Sequence, residues 1–257
     1  MSAIPTFLAT GWAAPVARLE RLSEQLDRRL GVEPIAFDLA EVDIDASRFP
    51  LPPDEPSAYA RALHERLHKC GEPARIIGWS TGGVIALETA AFWPDSVHSL
   101  VLVNSTACFC AHDDYPHGQK PAVLRSMMSA LRMLPQKAVL KEFFARAALP
   151  RAIVKDELLE HVADALAQGE TVLLNGLTYL LHTDLRARIS RIRQPVLILH
   201  GADDHIIPVS AAHWLCDALP DGRIIEEPEK GHDIPLTDPD LLARHIEAFV
   251  QGSGTRT

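Results

Sequence analysis

The sequence has 257 residues, of which 47% are hydrophobic and 23% are charged, and its formal net charge is −9. This balance excludes fibrous, collagen-like and disordered proteins, and the negative charge argues against nucleic acid as a general partner. No apolar run is long enough to span a bilayer, and no basic region precedes the first apolar stretch, so we expect neither a membrane anchor nor a cleaved signal peptide. The four cysteines fit neither a disulfide framework nor a zinc pattern, which predicts a cytoplasmic protein.

Short apolar runs alternate with amphipathic segments along most of the chain. Short apolar runs predict strands, whereas apolar residues that recur every three to four positions predict helices. Strands are predicted at 4–9, 34–39, 74–79, 97–104, 195–200 and 222–227, and helices at 15–30, 57–70, 81–93, 209–219 and 238–250. This order predicts an α/β fold with a mostly parallel sheet and helices on both of its faces.

The interval between the fourth and fifth predicted strands breaks this alternation. It contains no convincing strand, and its periodicity predicts four helices, at 121–134, 136–148, 153–167 and 171–182. A parallel crossover needs only about a dozen residues. We therefore expect residues 105–194 to form a helical cap inserted into a core domain made of residues 1–104 and 195–257.

The pentapeptide Gly78-Trp79-Ser80-Thr81-Gly82 fits the pattern G-x-S-x-G, with a predicted strand before it and a predicted helix after it. This setting is typical of a nucleophile elbow, in which the serine occupies a strained turn and nearby glycines remove side chains that would clash. The dipole of the following helix would favour negative charge at Ser80. The alternative interpretation is a serine that only caps the helix.

A nucleophilic serine needs a base, and the base needs an acid to orient it. Asp203 and Asp204 follow a late predicted strand, at the strand end where functional groups gather in open α/β sheets, and either can supply the acid. His232 lies in the loop after the last predicted strand, and we predict it as the base. His200 and His205 lie too close to the acid candidates to leave a separate loop for the base.

The tetrahedral intermediate of acyl transfer needs two N–H donors that are already in position. We predict the backbone N–H groups of Thr81, just after the serine, and of Trp12, in the loop after the first strand. Gly11 would let that loop approach the serine closely. Trp12 can also be an ordinary core aromatic, and the two interpretations are compatible.

Together these residues resemble the α/β-hydrolase superfamily, whose pattern favours Asp204 as the acid. The stretches 105–116, 172–177 and 183–186 further resemble the biotin-pathway esterases that cleave the methyl ester of pimeloyl-acyl-carrier protein. The resemblance implies a serine carboxylesterase that forms an acyl-enzyme with no metal or organic cofactor, acting on an ester carried by an acidic acyl-carrier protein. Thr10 departs from the family, which usually has a histidine there, and DLAEVDIDASRF replaces the usual glycine-rich loop after the second strand.

Basic residues cluster in the predicted cap, where residues 115–155 contain eight of them and a single acid, Glu142. Lys137 and Lys141 are spaced i, i+4, as are Arg151 and Lys155, so we predict that each pair shares a helix face. Such a surface suits an acidic partner. The resemblance matches these four residues to carrier-protein docking; the alternative is a solvated face that contacts nothing.

Apolar residues near the predicted serine suggest where an acyl chain would bind. We predict that Trp12, Trp79, Phe143 and Phe144 contact the substrate, and the resemblance matches Phe143 to the family's acyl-contacting phenylalanine. The predicted cap also contains three of the four methionines, which make an adaptable lining for a flexible chain. The alternative is that these residues form only the seam between cap and core.

Two other functions remain open from the sequence. One is a general short-chain carboxylesterase, or another capped acyl hydrolase, with no carrier-protein partner. The other is a binding protein that kept the hydrolase pocket, although the order of serine, acid and histidine argues against it. We interpret His112 and His117 as solvated loop residues rather than metal ligands, and we expect a monomer with no nucleic-acid or membrane partner.

Overall fold

A parallel β-sheet forms the centre of the protein. The computed structural model describes residues 4–253, except for the side chain of Ser253. Its strands are β1 (Thr6–Ala9), β2 (Ile35–Phe37), β3 (Ala74–Trp79), β4 (Val97–Val103), β5 (Val196–Gly201) and β6 (Gly222–Glu227). They lie in the order β2-β1-β3-β4-β5-β6, and every neighbouring pair is parallel. The predicted α/β fold is therefore confirmed.

Helices follow most of the strands, as predicted. They are α1 (Glu20–Leu30), α2 (Ala58–Lys69), α3 (Thr81–Phe92), α4 (Pro121–Met133), α5 (Gln136–Ala147), α6 (Lys155–Gln168), α7 (Glu170–His182), α8 (Val209–Ala218), α9 (Ile234–Thr237) and α10 (Pro239–Ser253). The last predicted helix, 238–250, is present as α10, and the short helix α9 before it was not predicted. The two are separated at Asp238, whose φ is −140°, because Pro239 disfavours helical geometry at the residue before it.

The central strands bury both of their faces, which explains their continuous apolar sequences. In β4, Leu100 and Leu102 pack into one apolar cluster together with side chains of α2, α3 and α8. The intervening Val101 and Val103 pack into a second cluster, with side chains of α1 and α10. Successive strand residues point to opposite faces of a sheet, so the two clusters lie on either side of it.

The four helices predicted between β4 and β5 are present as α4 to α7. Within this segment, α5 packs against α6 and α4 packs against α7. Leu173, Leu177 and Leu180 of α7 belong to the same apolar cluster as the side chains of α2 and α3, so this segment is anchored to the sheet domain. The division into a core domain and a cap stays a prediction.

A buried carboxylate ties the helix after Ser80 to two other helices. Glu88 of α3 accepts hydrogen bonds from the Ser57 N–H at 2.7 Å, the Ser57 hydroxyl at 2.7 Å and the Tyr179 hydroxyl at 2.8 Å. Ser57 is the N-cap of α2, and Tyr179 lies on α7. Burial raises the pKa of Glu88, and these hydrogen bonds oppose part of that increase. The carboxylate therefore fixes α3 between the sheet domain and α7.

We expect Glu88→Ala to lower the free energy of unfolding by about 3 kcal/mol, because three hydrogen bonds are lost and buried donors are left without an acceptor. Urea denaturation measures this loss, provided that the unfolding free energy falls with urea concentration at the same slope in both proteins. Tyr179→Phe removes only one of the three donors, and we expect it to cost about 1 kcal/mol. Equal stabilities of wild type and Glu88→Ala would contradict a role for this carboxylate in joining the helices.

Candidate active site

Ser80 lies in the tight turn between β3 and α3, in a backbone conformation that residues other than glycine rarely adopt. Its φ is 54° and its ψ is −119°. A Cβ atom at Gly78 would lie 2.6 Å from the Gly82 backbone, and one at Gly82 would lie 2.5 Å from the Ala9 carbonyl oxygen. Glycine is therefore required at both positions, and the turn presents Ser80 at the positive end of α3.

Three polar side chains from different loops form one hydrogen-bonded chain. His232 Nε2 lies 3.0 Å from Ser80 Oγ, and His232 Nδ1 lies 2.7 Å from Asp204 Oδ2. The exposed fractions of Ser80, His232 and Asp204 are 6%, 3% and 7%. These residues follow β3, β6 and β5, whose carboxyl ends meet at one edge of the sheet. Such an arrangement can move a proton from the serine to the histidine.

The Asp204 carboxylate is held in its ionised form. Burial by itself would raise its pKa, but the charge and hydrogen bond of His232, together with other hydrogen bonds, outweigh burial and hold the pKa below its ordinary value. Asp204 Oδ1 accepts from the N–H groups of Ile206 at 2.7 Å and Ile207 at 2.9 Å. Oδ2 is thereby left to orient His232.

The other candidates for acid and base do not join this chain. The Asp203 side chain is exposed, and its backbone N–H donates to the Lys230 carbonyl. His200 is fully buried, and its Nε2 donates to the Ile207 carbonyl at 2.9 Å. Burial lowers the pKa of His200, so it stays neutral behind the carboxylate of Asp204, 3.6 Å away. His205 is exposed, outside the buried chain.

The two predicted backbone donors, Trp12 and Thr81, flank Ser80. Among residues 4–253, no acceptor takes a hydrogen bond from either backbone N–H. A Cβ atom at Gly11 would lie 3.2 Å from Ser80 Cβ, so the loop that carries Trp12 lies directly against the serine. The Trp12 indole is also a core aromatic, because its Nε1 donates to the Leu173 carbonyl at 2.8 Å. Both N–H groups remain available for an oxyanion.

Two voids reach Ser80 from different directions. The larger, of about 570 Å³, we call the large cavity; it is mainly apolar, and α4 and α5 form much of its wall. The smaller, of about 20 Å³, we call the small pocket. Of the four predicted substrate-contacting residues, Trp12 and Phe143 line both voids. Trp79 and Phe144 line the small pocket and not the large cavity, so a ligand in the large cavity alone would not contact them.

Two polar residues that hold these loops, Asn104 and Ser105, were not identified from the sequence. Asn104 donates to the Gly231 carbonyl and accepts from the Gly201 N–H, both at 2.8 Å. The Ser105 hydroxyl donates to the Ser80 carbonyl at 2.9 Å. Trp79, a predicted substrate contact, has a further role, because its Nε1 donates to the His232 carbonyl at 2.9 Å. Polar residues directly after a buried strand are the sequence signal for Asn104 and Ser105.

Arg151 corrects one prediction made from spacing. Helix α6 begins at Lys155 and α5 ends at Ala147, so Arg151 and Lys155 do not share a helix face. Pro150 lacks the N–H that a continued helix would need. Arg151 instead donates to both Glu157 oxygens, at 2.8 and 2.7 Å, and to Asp233 at 2.6 Å. It therefore ties the segment between α5 and α6 to the residue that follows His232. Lys137 and Lys141 do lie one turn apart on α5.

Cys108, His112 and Asp184 have potential ligand atoms within 4.8 Å of one another. Arg186 occupies both oxygens of Asp184 with hydrogen bonds. Burial raises the pKa of Cys108 to about 12, which keeps its thiol protonated. His112 is exposed, as predicted, whereas His117 is half-buried with its ring 5.2 Å from that of Tyr115. These groups already have partners, so their proximity does not by itself indicate a metal site.

A family model and several curated proteins match most of the chain. The model of the "Alpha/beta hydrolase family" matches residues 5–245. A "Pimeloyl-[acyl-carrier protein] methyl ester esterase" of Chromobacterium violaceum is 31% identical over 92% of this chain and 92% of its own length. One of Aromatoleum aromaticum is 33% identical over 70% of this chain and 75% of its own length.

Solved structures share the fold at lower sequence identity. An esterase from Exiguobacterium antarcticum has a TM-score of 0.85 and is 20% identical, covering 97% of this chain and 92% of its own. A bromoperoxidase from Bacillus anthracis has the same TM-score and is 19% identical, with the same coverage. Within residues 4–253, no helix is both long enough and apolar enough to cross a membrane.

We expect Arg151→Ala to slow covalent labelling of Ser80 by a fluorophosphonate by about 10-fold, because Asp233 loses its counter-charge and the His232 loop shifts. Mass spectrometry of the labelled peptide over time measures the rate. Arg191→Ala, at an exposed arginine before β5, is the matched control and should label at the wild-type rate. Equal rates for Arg151→Ala and wild type would show that the His232 loop does not need this tether.

Proposed function

The chain belongs to the alpha/beta hydrolase family and is a carboxylic ester hydrolase, and from this premise we propose that it cleaves the methyl ester of pimeloyl-acyl-carrier protein in biotin synthesis. The observation that carries the chemistry is the hydrogen-bonded chain from Ser80 through His232 to Asp204. The observation that favours this substrate is the similarity to two esterases that bear this substrate in their names.

In the proposed mechanism Ser80 is the nucleophile, His232 the general base and Asp204 the acid that orients it. Ser80 Oγ attacks the ester carbonyl while His232 Nε2 takes its proton, and Asp204 stabilises the imidazolium. The oxyanion accepts hydrogen bonds from the backbone N–H groups of Trp12 and Thr81. His232 then protonates the departing methanol, and a water activated by His232 hydrolyses the acyl-enzyme.

We propose that residues 105–194 act as a cap that closes the acyl-binding cavity over the core domain of residues 1–104 and 195–257. The large cavity supports this division, because α4 and α5 supply one wall while Trp12 and Ile206 contribute from the sheet domain. Its volume of about 570 Å³ lies in the range of small-molecule sites. Met127, Leu177 and Leu180 give it an apolar lining that suits the methylene chain of a pimeloyl group.

The acyl-carrier protein is proposed to dock on the basic surface of the cap. Of the eight basic residues in 115–155, Arg151 is the one that forms a salt bridge within the described chain, so the other seven side chains are not committed to an acidic partner there. Lys137 and Lys141 lie on α5, the helix that also lines the large cavity through Ala138 and Arg146. A carrier bound at α5 would therefore insert its acyl chain directly towards Ser80. The role proposed for Arg151 is holding the His232 loop.

We expect Ser80→Ala to lower the kcat for the methyl ester of hexanoic acid by about 10³-fold or more, because the nucleophile is removed. Titration of the released acid measures this, and circular dichroism checks that the fold is retained. Ser190→Ala, at an exposed serine, is the matched control. Retention of wild-type activity in Ser80→Ala would exclude the serine mechanism.

We expect the double variant Lys137→Glu/Lys141→Glu to lower kcat/KM for the carrier-linked methyl ester by about 10-fold or more, because it repels an acidic carrier. Turnover of the same ester without a carrier should change by less than about twofold, and added salt should reduce the difference between the two substrates.

Arg191→Glu/Arg193→Glu is the matched charge-reversal control. Both residues are exposed and precede β5, so they lie at the edge of the sheet opposite Ser80. This control should leave the ratio of the two turnover rates unchanged. If the α5 variant slows both substrates equally, α5 is not the docking surface, and a general carboxylesterase without a carrier partner becomes the better description.

A further inference from the structure

The two voids that meet at Ser80 differ in their relation to His232. Trp12, Ser80 and Phe143 line both voids, whereas His232 and Asp233 line the small pocket and, within residues 4–253, do not line the large cavity. A substrate whose carbonyl carbon lies at Ser80 can therefore extend in two directions. One direction leads along the apolar walls of the large cavity, and the other leads past the imidazole.

Proton transfer determines which part of an ester takes which direction. The departing alkoxide oxygen must receive its proton from the imidazole that deprotonated the serine, so it must lie beside His232 Nε2. This places the alcohol portion in the small pocket and the acyl chain in the large cavity. The assignment rests on the serine mechanism proposed above, and it does not depend on a carrier protein.

The small pocket has room for very few atoms. A cavity needs about 10–15 Å³ of free volume to hold one water, and the small pocket offers about 20 Å³. A methyl group fits a space of this size, whereas each further methylene needs additional room. Because well-packed interiors resist added volume, a longer alkyl group would have to displace the surrounding side chains.

Several contacts hold the walls of the small pocket in place. Trp79 is fixed by its hydrogen bond to the His232 carbonyl, and the ring of Phe144 stacks on that of His161 at 5.3 Å. A Cβ atom at Gly231 would overlap the Leu149 carbonyl oxygen, so the cap lies directly against the His232 loop there. Arg151 adds a salt bridge across the same contact. Expansion of the small pocket would require these two segments to separate.

We infer that the small pocket is the binding site for the alcohol portion of the ester and restricts it to methyl, with Phe144, His161 and Leu236 among the residues that set its size. The bond from Ser80 Oγ to the carbonyl carbon forms and the bond from that carbon to the methoxy oxygen breaks. The serine proton passes through His232 to the methoxy oxygen, and methanol leaves. One water then occupies the small pocket and attacks the acyl carbon while His232 takes its proton. The bond from that carbon to Ser80 Oγ breaks, His232 passes the proton to Oγ, and the acid leaves.

The experiment compares the methyl, ethyl and n-butyl esters of hexanoic acid, without any carrier, by kcat/KM. Wild type should prefer the methyl ester over the butyl ester by about 10-fold or more in kcat/KM, because a pocket that fits one substrate typically discriminates by at least this factor against added methylene groups. Leu236→Ala enlarges the small pocket and should raise the ratio of butyl to methyl turnover about 10-fold. Phe144→Leu is a second enlargement, which should change the ratio in the same direction.

Leu180→Ala is the matched control, because it removes the same atoms from the wall of the large cavity. It should leave the ratio of butyl to methyl turnover unchanged and alter the preference among methyl esters of acids of different length. Equal wild-type turnover of methyl and butyl esters would overturn the inference, as would an equal change of the ratio in Leu236→Ala and Leu180→Ala. Either result leaves the serine mechanism intact, since that mechanism is tested separately by Ser80→Ala.

Discussion

The hydrogen-bonded chain from Ser80 to Asp204 depends on one constraint, which is that β3, β5 and β6 are parallel and end at the same edge of one sheet. The three side chains are separated by up to 152 positions in sequence, yet each needs only a short loop to reach the others. The left-handed conformation of Ser80 adds to this constraint, because it turns the hydroxyl towards the loops that follow β5 and β6. The apolar packing on both faces of the sheet therefore stabilises the site as well as the fold.

The loop that carries His232 is held from two sides. From the sheet domain, Asn104 and Trp79 donate hydrogen bonds to the carbonyls of Gly231 and His232. From the helical segment 105–194, Arg151 pairs with Asp233. A histidine whose backbone is fixed in this way keeps its imidazole within reach of Ser80, and the geometry is then ready before any substrate binds. The same contacts limit the small pocket, so the positioning of His232 and the proposed restriction of the alcohol have a common structural cause.

The helical segment 105–194, which we propose as a cap, has two faces with different physical properties. Its inner face, on α4, α5 and α7, lines the large cavity with apolar side chains that suit an acyl chain. Its outer face keeps most of the positive charge of residues 115–155 exposed, in a chain whose net charge is −9. In the proposed function, this separation lets one segment recognise a hydrophobic acyl chain by burial of apolar area and an acidic carrier by attraction between charges.

The sequence by itself determined the order of strands and helices, the turn at Ser80 and the loop of His232, because periodicity and a G-x-S-x-G motif are local properties of the chain. It left Asp203 and Asp204 both open, since which of two adjacent side chains turns inward depends on how the loop after β5 folds. It also assigned Arg151 to a helix face. Only the tertiary structure decided that this arginine pairs with Asp233, 82 positions away. The tertiary structure also decided the walls of the two voids, the role of Asn104 and the partners of Glu88. Each of these depends on contacts between segments that are distant in sequence.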